Sequence, residues 1–278
     1  MGPARAIRTI GDIEAELDRI TRTDPSERLP ELEPGHALAP LVRAVNRSLD
    51  RLEYVVRQQS QFASDASHEL RTPLTALRAE AEYAQMYPDD AELPRTLRTL
   101  VDGIDRLDGL VDDLLLLTRI GDPGTAPITR IDLGVLVADE LARHGRLKDA
   151  GHELAVELEE GIEVDGVDSR LARAVANLLD NAERHARSTV TVTLRRSGSR
   201  AVLTVGDDGP GIPVEDRERV FDRFARLDTA RDRQTGGTGL GLAISHNVAA
   251  SHNGTLTVED GPAPGANFIM ELPLAPPP

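Results

Sequence analysis

The stretch SHELRTPL, Ser67 to Leu74, decides how the rest of the chain is read. Around it Phe62, Ala66, Leu70, Leu74, Leu77, Ala81 and Ala84 recur every three or four positions. That is the period of a single buried stripe on a helix. At about 100° per residue, His68 stands roughly 200° from both Ala66 and Leu70. The spacing therefore predicts that His68 faces solvent, with Thr72 one turn away on the same side. Pro73 sits inside the same helix, where it lacks an N–H, frees the carbonyl of Glu69 and costs ~3 kcal/mol. An exposed histidine beside a broken local rule marks a functional position. A bend at Pro73 would let upstream helix movements change the exposure of His68.

Upstream, Ile7, Ile10, Ile13 or Ala15, Leu17 and Ile20 keep helical spacing across residues 5 to 22. Asp24-Pro25 and the Pro-containing stretch RLPELEPG then exclude helix. A second pattern begins at Ala37 with Leu38, Leu41, Val45, Leu49 and Leu52, and it runs unbroken towards Phe62. Downstream, Tyr87-Pro88-Asp89-Asp90 makes a turn before a second helix with the stripe Leu93, Leu97, Leu100, Ile104, Leu107, Val111, Leu114. Alternating steps of four and three form a heptad seam. Two helices cannot enclose two such stripes, so a homodimer closing a four-helix bundle is expected. Gly121 to Pro127 reads as a linker.

The totals narrow the classes. A chain of 278 residues accommodates about two domains, and with 3% aromatics its cores must be aliphatic. The absence of Cys excludes disulfides and thiolate metal sites. A net charge of −15 argues against direct nucleic-acid binding and against adhesion to anionic lipid. No apolar run approaches the ~18 residues of a membrane span, and the N-terminus lacks a secretory signal pattern. The chain reads as soluble, or as the soluble part of something longer.

From Ile128 the pattern alternates strand and helix. Residues 132 to 150 read as helix, His152 to Glu159 as strand, and 168 to 186 as helix with Asp168 as N-cap. STVTVTLRR and RAVLTVGD alternate with period two around Ser197-Gly198-Ser199, a hairpin. A helix over 240 to 252 and the strands TLTVED and NFIMEL follow, and APPP is a tail. The expected fold is an α/β two-layer sandwich, helices covering one face of a mixed sheet.

Four stretches of this half carry chemistry. In NLLDNAER, Asn177 and Asn181 share one helix face with Arg184 a turn further on. Amide oxygens can ligate Mg²⁺, which takes phosphate oxygens for the rest of its shell, and Arg184 can neutralise a phosphate; idle surface asparagines fit that feature alone equally well. DDGPGIP puts Asp207 at a strand end with Gly209 and Gly211 in the turn. A carboxylate there can accept from an exocyclic amine, and glycines let backbone approach a flat ligand. GGTGLGLAIS sets Gly236, Gly237, Gly239 and Gly241, with Thr238 and Leu240 between them, ahead of a helix whose N–H groups can face an anion. It is neither a P-loop nor a dinucleotide fingerprint. Between these, Arg217 to Gln234 holds six Arg against four acids, a local excess that can steer a nucleotide. Phe221 and Phe224 are open to reading as core or as a docking patch. Loss of pattern from Asp228 to Thr238 reads as a lid.

SHELRTPL, NLLDNA, DDGPGIP, FDRFARLD and GGTGLGLAIS stand in the order and spacing of the sensor histidine kinases of two-component systems, which the chain resembles over residues 54 to 273. Residues 1 to 53 resemble the HAMP relay, a module that follows a transmembrane helix. The resemblance implies a dimerisation and histidine-phosphotransfer domain over 54–122, a linker over 123–127, a Bergerat-type (GHKL) ATP-binding domain over 128–273, and a tail over 274–278. It implies His68 as phosphoacceptor, Glu69 as its base and Thr72 as the residue orienting water during dephosphorylation of a response regulator. It implies Asn177 as Mg²⁺ ligand, Asn181 and Arg184 as phosphate contacts and Asp207 as the adenine reader. Gly209, Gly211, Gly237, Thr238, Gly239, Leu240 and Gly241 are implied to line the nucleotide, the cofactors being ATP and Mg²⁺. The expected setting is the cytoplasmic side of a membrane reached through a segment upstream. Arg184 replaces the usual Lys, His185 the usual aromatic, and Asp208 the frequent Asn, the last read as a small change. A phosphatase-dominated scaffold and a GHKL-type ATPase are the alternatives. The ATPase relatives carry a general-base Glu where this chain has Asn177.

Overall fold

The computed structural model describes residues 10–24, 26–32, 36–87, 92–120, 127–144, 153–225, 238–261 and 265–276. They fall into two compact units, residues 1–68 and 69–278.

In the first unit, helix α1 (Ile10–Thr23) and the start of α2 (Ala39–Met86) enclose an aliphatic core. Ile13, Ile20, Leu29, Val42 and Leu49 are buried, with Leu17, Leu32, Leu38 and Val45 packed against them. Leu41 and Leu52, expected in this stripe, are exposed instead. Ile7 lies outside the described residues. The connector cannot be helical, so its backbone needs other partners. Asn46 supplies them, its Oδ1 accepting from the Leu29 N–H at 2.9 Å and its Nδ2 donating to the Leu29 carbonyl at 3.0 Å. Helix α2 continues without a break past residues 53 and 54 and keeps Pro73 within it.

The second unit holds the rest of α2, α3 (Leu93–Arg119) and the α/β layers. On α3 the most buried column is Thr96, Gly103, Leu110 and Leu117, seven residues apart. Leu93, Leu100, Leu107 and Leu114 form a half-buried column beside it, while Leu97, Ile104 and Val111 are exposed. One half of the expected seam is thus half-buried and its other half is open on the single chain. Gly103 faces α2, where a Cβ on it would run into Leu77.

Strand β1 (Thr129–Asp132) leads into α4 (Leu133–Arg143), capped by Asp132, which accepts from the N–H groups of Gly134 and Val135. The helix ends at Arg143, and residues 145–150 lie outside the described residues. Strands β2 (Glu153–Leu158) and β3 (Glu163–Gly166) precede α5 (Asp168–His185). Asp168 is the first residue of α5, with Val167 as N-cap and no side-chain cap bond. Its carboxylate acts on the helix dipole instead. Strands β4 (Thr189–Ser197) and β5 (Arg200–Asp207) form the expected hairpin, with Gly198 at φ +58. Helix α6 (Gly241–Ser251), β6 (Thr255–Asp260) and β7 (Ala266–Pro273) close the unit.

The five-stranded sheet has the order β2-β4-β5-β7-β6, with β2 parallel to β4 and every other pair antiparallel. Its inner face alternates with period two, Val190, Val192 and Leu194 on β4, Ala201, Leu203 and Val205 on β5, Phe268, Met270 and Leu272 on β7. Helices α4, α5 and α6 bury Leu136, Leu178, Ile244 and Val248 among others in the same layer. Each large aliphatic side chain buried there is worth about 1.5–3 kcal/mol. A separate antiparallel pair, β1 with β3, was not foreseen from the sequence.

Candidate functional site

His68, Glu69 and Thr72 all lie within α2, His68 and Thr72 exposed and Glu69 half-buried. The off-stripe position inferred for His68 is what the helix shows.

On α5, Leu171, Ala174, Val175, Leu178, Leu179 and Ala182 bury one face. Asn177 borders that face and is only 7% exposed, Asn181 is half-buried and Arg184 exposed. The Asn177 Nδ2 donates to the carbonyl of Gly241 at 3.2 Å, which leaves Oδ1 as the acceptor on the other side of the amide. The buried Ser245 hydroxyl lies 3.0 Å from both the Gly241 and the Ala174 carbonyls. The first turn of α6 is thus fastened to α5 at the level of Asn177.

Helix α6 opens without a side-chain cap, so its first-turn N–H groups have no acceptor within the helix. Just before it, the Thr238 hydroxyl accepts from the Leu240 N–H at 3.3 Å, and Leu240 is fully buried. Gly239 adopts φ +68, and a Cβ on it would lie 2.8 Å from the Cα of Phe224. Phe224, itself at φ +61, donates its N–H to the Gly239 carbonyl at 2.9 Å. Phe221 stacks on His246 at 5.2 Å and meets Phe268 edge-on at 6.4 Å, which makes it part of the core. Of the lid expected from Asp228 to Thr238, all but Thr238 lies outside the described residues, Gly236 and Gly237 included.

Asp207 ends β5, buried, with the Gly209 N–H donating to its Oδ1 at 2.9 Å. Burial pushes its carboxyl above the usual range, against the opposing pull of the N–H groups of Gly209 and Ala266. Gly209 lies so close to the His185 carbonyl that a Cβ would overlap it, and Gly211 takes φ +75. The DDGPG turn therefore abuts the C-terminal end of α5. Sequence reasoning singled out Asp207 and both glycines but set Asp208 aside. The Asp208 carboxylate in fact accepts from the N–H groups of Arg187, Ser188 and Thr189 and from the Ser188 hydroxyl.

Two further charged contacts brace α5. His144 places Nδ1 2.9 Å from the Glu140 carbonyl and Nε2 3.1 Å from the Asp180 carboxylate. Both partners only accept, so an imidazolium satisfies both. The hydrogen bond to Asp180 raises the pKa of His144. Arg173 pairs with the buried Asp113 of α3 at 2.5 Å, and Arg170 donates to the Arg119 carbonyl at 3.1 Å. No spacing in the sequence announces either contact, because each joins residues at least 36 positions apart.

What this arrangement can do follows from its parts. A buried carboxylate at one end, a neutral amide oxygen and a guanidinium along α5, and uncapped N–H groups at the start of α6 suit a flat amine-bearing base joined to an anionic tail.

Residues 58–123 match the family model of the His Kinase A (phospho-acceptor) domain, and residues 166–276 match that of the histidine kinase-, DNA gyrase B-, and HSP90-like ATPases. The probable sensor histidine kinase TcrY of Mycobacterium tuberculosis is 40% identical, over 88% of this chain and 54% of its own length. The signal transduction histidine-protein kinase/phosphatase MprB of Mycobacterium ulcerans is 38% identical, over 98% of this chain and 55% of its own. The chain spans about half the length of the curated relatives it matches. Among solved structures, full-length ShkA in complex with AMPPNP is similar with a TM-score of 0.58 and 27% identity, covering 78% of this chain and 46% of ShkA.

Proposed function

The chain belongs to the sensor histidine kinases of two-component systems, and on that footing we propose that it transfers the γ-phosphoryl group of ATP to His68 and then to an aspartate of a response regulator. The observation that carries this reading is the Asn177–Gly241 bond, which joins the amide-bearing helix to the glycine-rich helix start as two walls of one site. The AMPPNP in ShkA, a relative of the same fold, supports a nucleotide there.

In this reading Asp207 accepts from the adenine amine, while Gly209 and Gly211 leave room for the ring. Asn181 and Arg184 hold the phosphates, with Gly237, Thr238, Gly239, Leu240 and Gly241 lining them. Mg²⁺ would be held by Asn177. The amide nitrogen is committed to Gly241, so a single neutral oxygen is offered, which fits an ion that draws most of its shell from phosphate and water. When bound, the ion neutralises phosphate charge. Asn177 also argues against a hydrolase, because an amide donating to a carbonyl cannot take a proton from water.

At the other end of the reaction, one ring nitrogen of neutral His68 attacks the γ-phosphorus in line. An N–P bond forms, the P–O bond to ADP breaks, and Glu69 takes the proton leaving the ring. Phosphohistidine then yields the group to the regulator's carboxylate, and Thr72 orients water when that product is hydrolysed. The name of MprB supports a paired phosphatase activity. Leu74, Leu97, Ile104 and Val111, exposed in the single chain, would be covered in a homodimer. Residues 1–53 act as a HAMP-like relay on the cytoplasmic side of a membrane-anchored receptor, 54–122 as the dimerisation and phosphotransfer domain, and 128–273 as the catalytic domain.

Labelled ATP tests the whole. His68→Gln should bind ATP as the wild type does yet carry no acid-labile label. Label persisting in that variant overturns the assignment.

A further inference from the structure

Asp208 follows Asp207 directly, yet its carboxylate turns to a different segment. Its Oδ1 accepts from the N–H groups of Arg187 at 2.8 Å, Ser188 at 3.0 Å and Thr189 at 3.1 Å, and its Oδ2 from the Ser188 hydroxyl at 2.6 Å. Its own N–H donates back to the Thr189 carbonyl at 3.2 Å. The hydroxyl and N–H of Ser188, with those of Thr189 and Arg187, hold this carboxyl far below the usual range. The segment so gripped, Arg187 to Thr189, takes in all of the link between α5 and β4 except Ala186, together with the first residue of β4.

That link sits between the two halves of the nucleotide site. Immediately before it, the His185 carbonyl abuts Gly209. Immediately after it, β4 pairs with β5, Val190 opposite Asp207. One carboxylate therefore fixes the distance from Asp207 to the last turn of α5, which carries Arg184. A turn that only had to close would need one such bond, and this one receives four donors.

We propose that Asp208 is a positioning residue that sets the width of the nucleobase slot by anchoring Arg187–Thr189 to the end of β5. The proposal rests on reading Asp207 as the acceptor of the adenine amine. An ionised carboxylate there favours adenine, which offers an amine, over guanine, which offers a carbonyl at the same ring position. Misplacing it should weaken binding and selectivity together.

The test uses the full chain, with ATP and GTP binding followed by calorimetry and autophosphorylation kinetics measured in parallel. Asp208→Ala should raise KM for ATP about tenfold, with the loss concentrated in KM rather than kcat, and should narrow the preference for ATP over GTP. Asp208→Asn should recover most of both, since its amide oxygen can still accept the three N–H groups and its nitrogen can donate to Ser188. If Asp208→Ala lowers only the melting temperature, with KM and selectivity intact, or if Asp208→Asn fails as Ala does, the proposal is overturned. Ser188→Ala removes one donor without touching the carboxylate and keeps the test open should Asp208→Ala not fold. It should shift selectivity in the same direction by less, and an unchanged ATP to GTP ratio would count against the proposal. Asp207→Ala separates the premises. If it binds ATP like the wild type, the nucleobase reading itself falls and the proposal with it.

Discussion

The side-chain amide of Asn177 donates to the carbonyl of Gly241 across 3.2 Å, joining two segments 64 residues apart. This bond fixes which end of the amide is left for a cation, and it separates two ways of damaging the site. Asn177→Ala should lower Mg²⁺-dependent nucleotide affinity by about 10–100-fold. Asn177→Asp keeps a ligating oxygen but cannot donate to Gly241, so it should also lose affinity and loosen the start of α6. Calorimetric titration with and without Mg²⁺ checks both, and an Asp variant that binds normally would show that the bond to Gly241 is dispensable.

Thr72 stands exposed one turn beyond His68 on α2. Thr72→Ala should leave autophosphorylation within about twofold of wild type while slowing dephosphorylation of the regulator about tenfold or more. Loss of phosphate from a purified phosphorylated receiver domain is the measurement. Equal rates for the two proteins would remove Thr72 from the phosphatase step.

Acid should release nucleotide early. Burial holds the Asp207 carboxyl above the ordinary aspartate value of about 3.9, and protonation removes its charge and turns one oxygen into a donor, leaving a weaker acceptor for an amine. Affinity should therefore fall as pH drops through that raised value, before ordinary aspartates protonate. Folding responds in the opposite sense, because a carboxyl with a raised folded pKa is easier to bury once protonated. Binding lost on acidification without loss of the folded signal is the expected pattern, and Asp207→Asn should flatten it.

The His144–Asp180 pair answers to pH from the basic side. The hydrogen bond to Asp180 raises His144, so its contribution to stability is full below about 6.5 and disappears as pH rises through the raised folded value. Burial alone would raise Asp180, but the hydrogen bond and charge of His144, with Arg184 and Arg173, hold it low. Its share is present above about 3.9 and is lost only as pH falls through the lowered value. With the Asp180 side chain 49% exposed, the pair is worth about 0.2–1 kcal/mol. Melting temperatures should decline from mildly acid to mildly basic pH in the wild type and change less in His144→Ala. Parallel profiles would show that the pair is not coupled to folding.

Long, strongly periodic segments were legible in the sequence. The β4–β5 hairpin, α5, α6 and the last two strands could be read from alternation and helical spacing, because one face of each is buried and its apolar residues keep the period. Strands β1 and β3 were not, since TRID and EVDG offer only Ile131 and Val164 to the interior and gain their order from each other. The contact of α3 with α2 was not legible either, because it rests on Gly103, whose missing side chain is what admits Leu77. In the site, residue types at fixed spacing pointed to Asn177, Asp207 and the glycines. Asp208, His144, Arg173 and Ser245 act through partners 19 to 71 residues away, and no local pattern encodes such pairs.

The nest around Asp208 also has a signature in time. Amide protons of a surface link between a helix and a strand ordinarily exchange with solvent about as fast as the link moves. Those of Arg187, Ser188 and Thr189 are held by a carboxylate instead of water. In deuterium they should therefore report the opening of the sheet itself, three slow protons in a stretch with almost no regular structure.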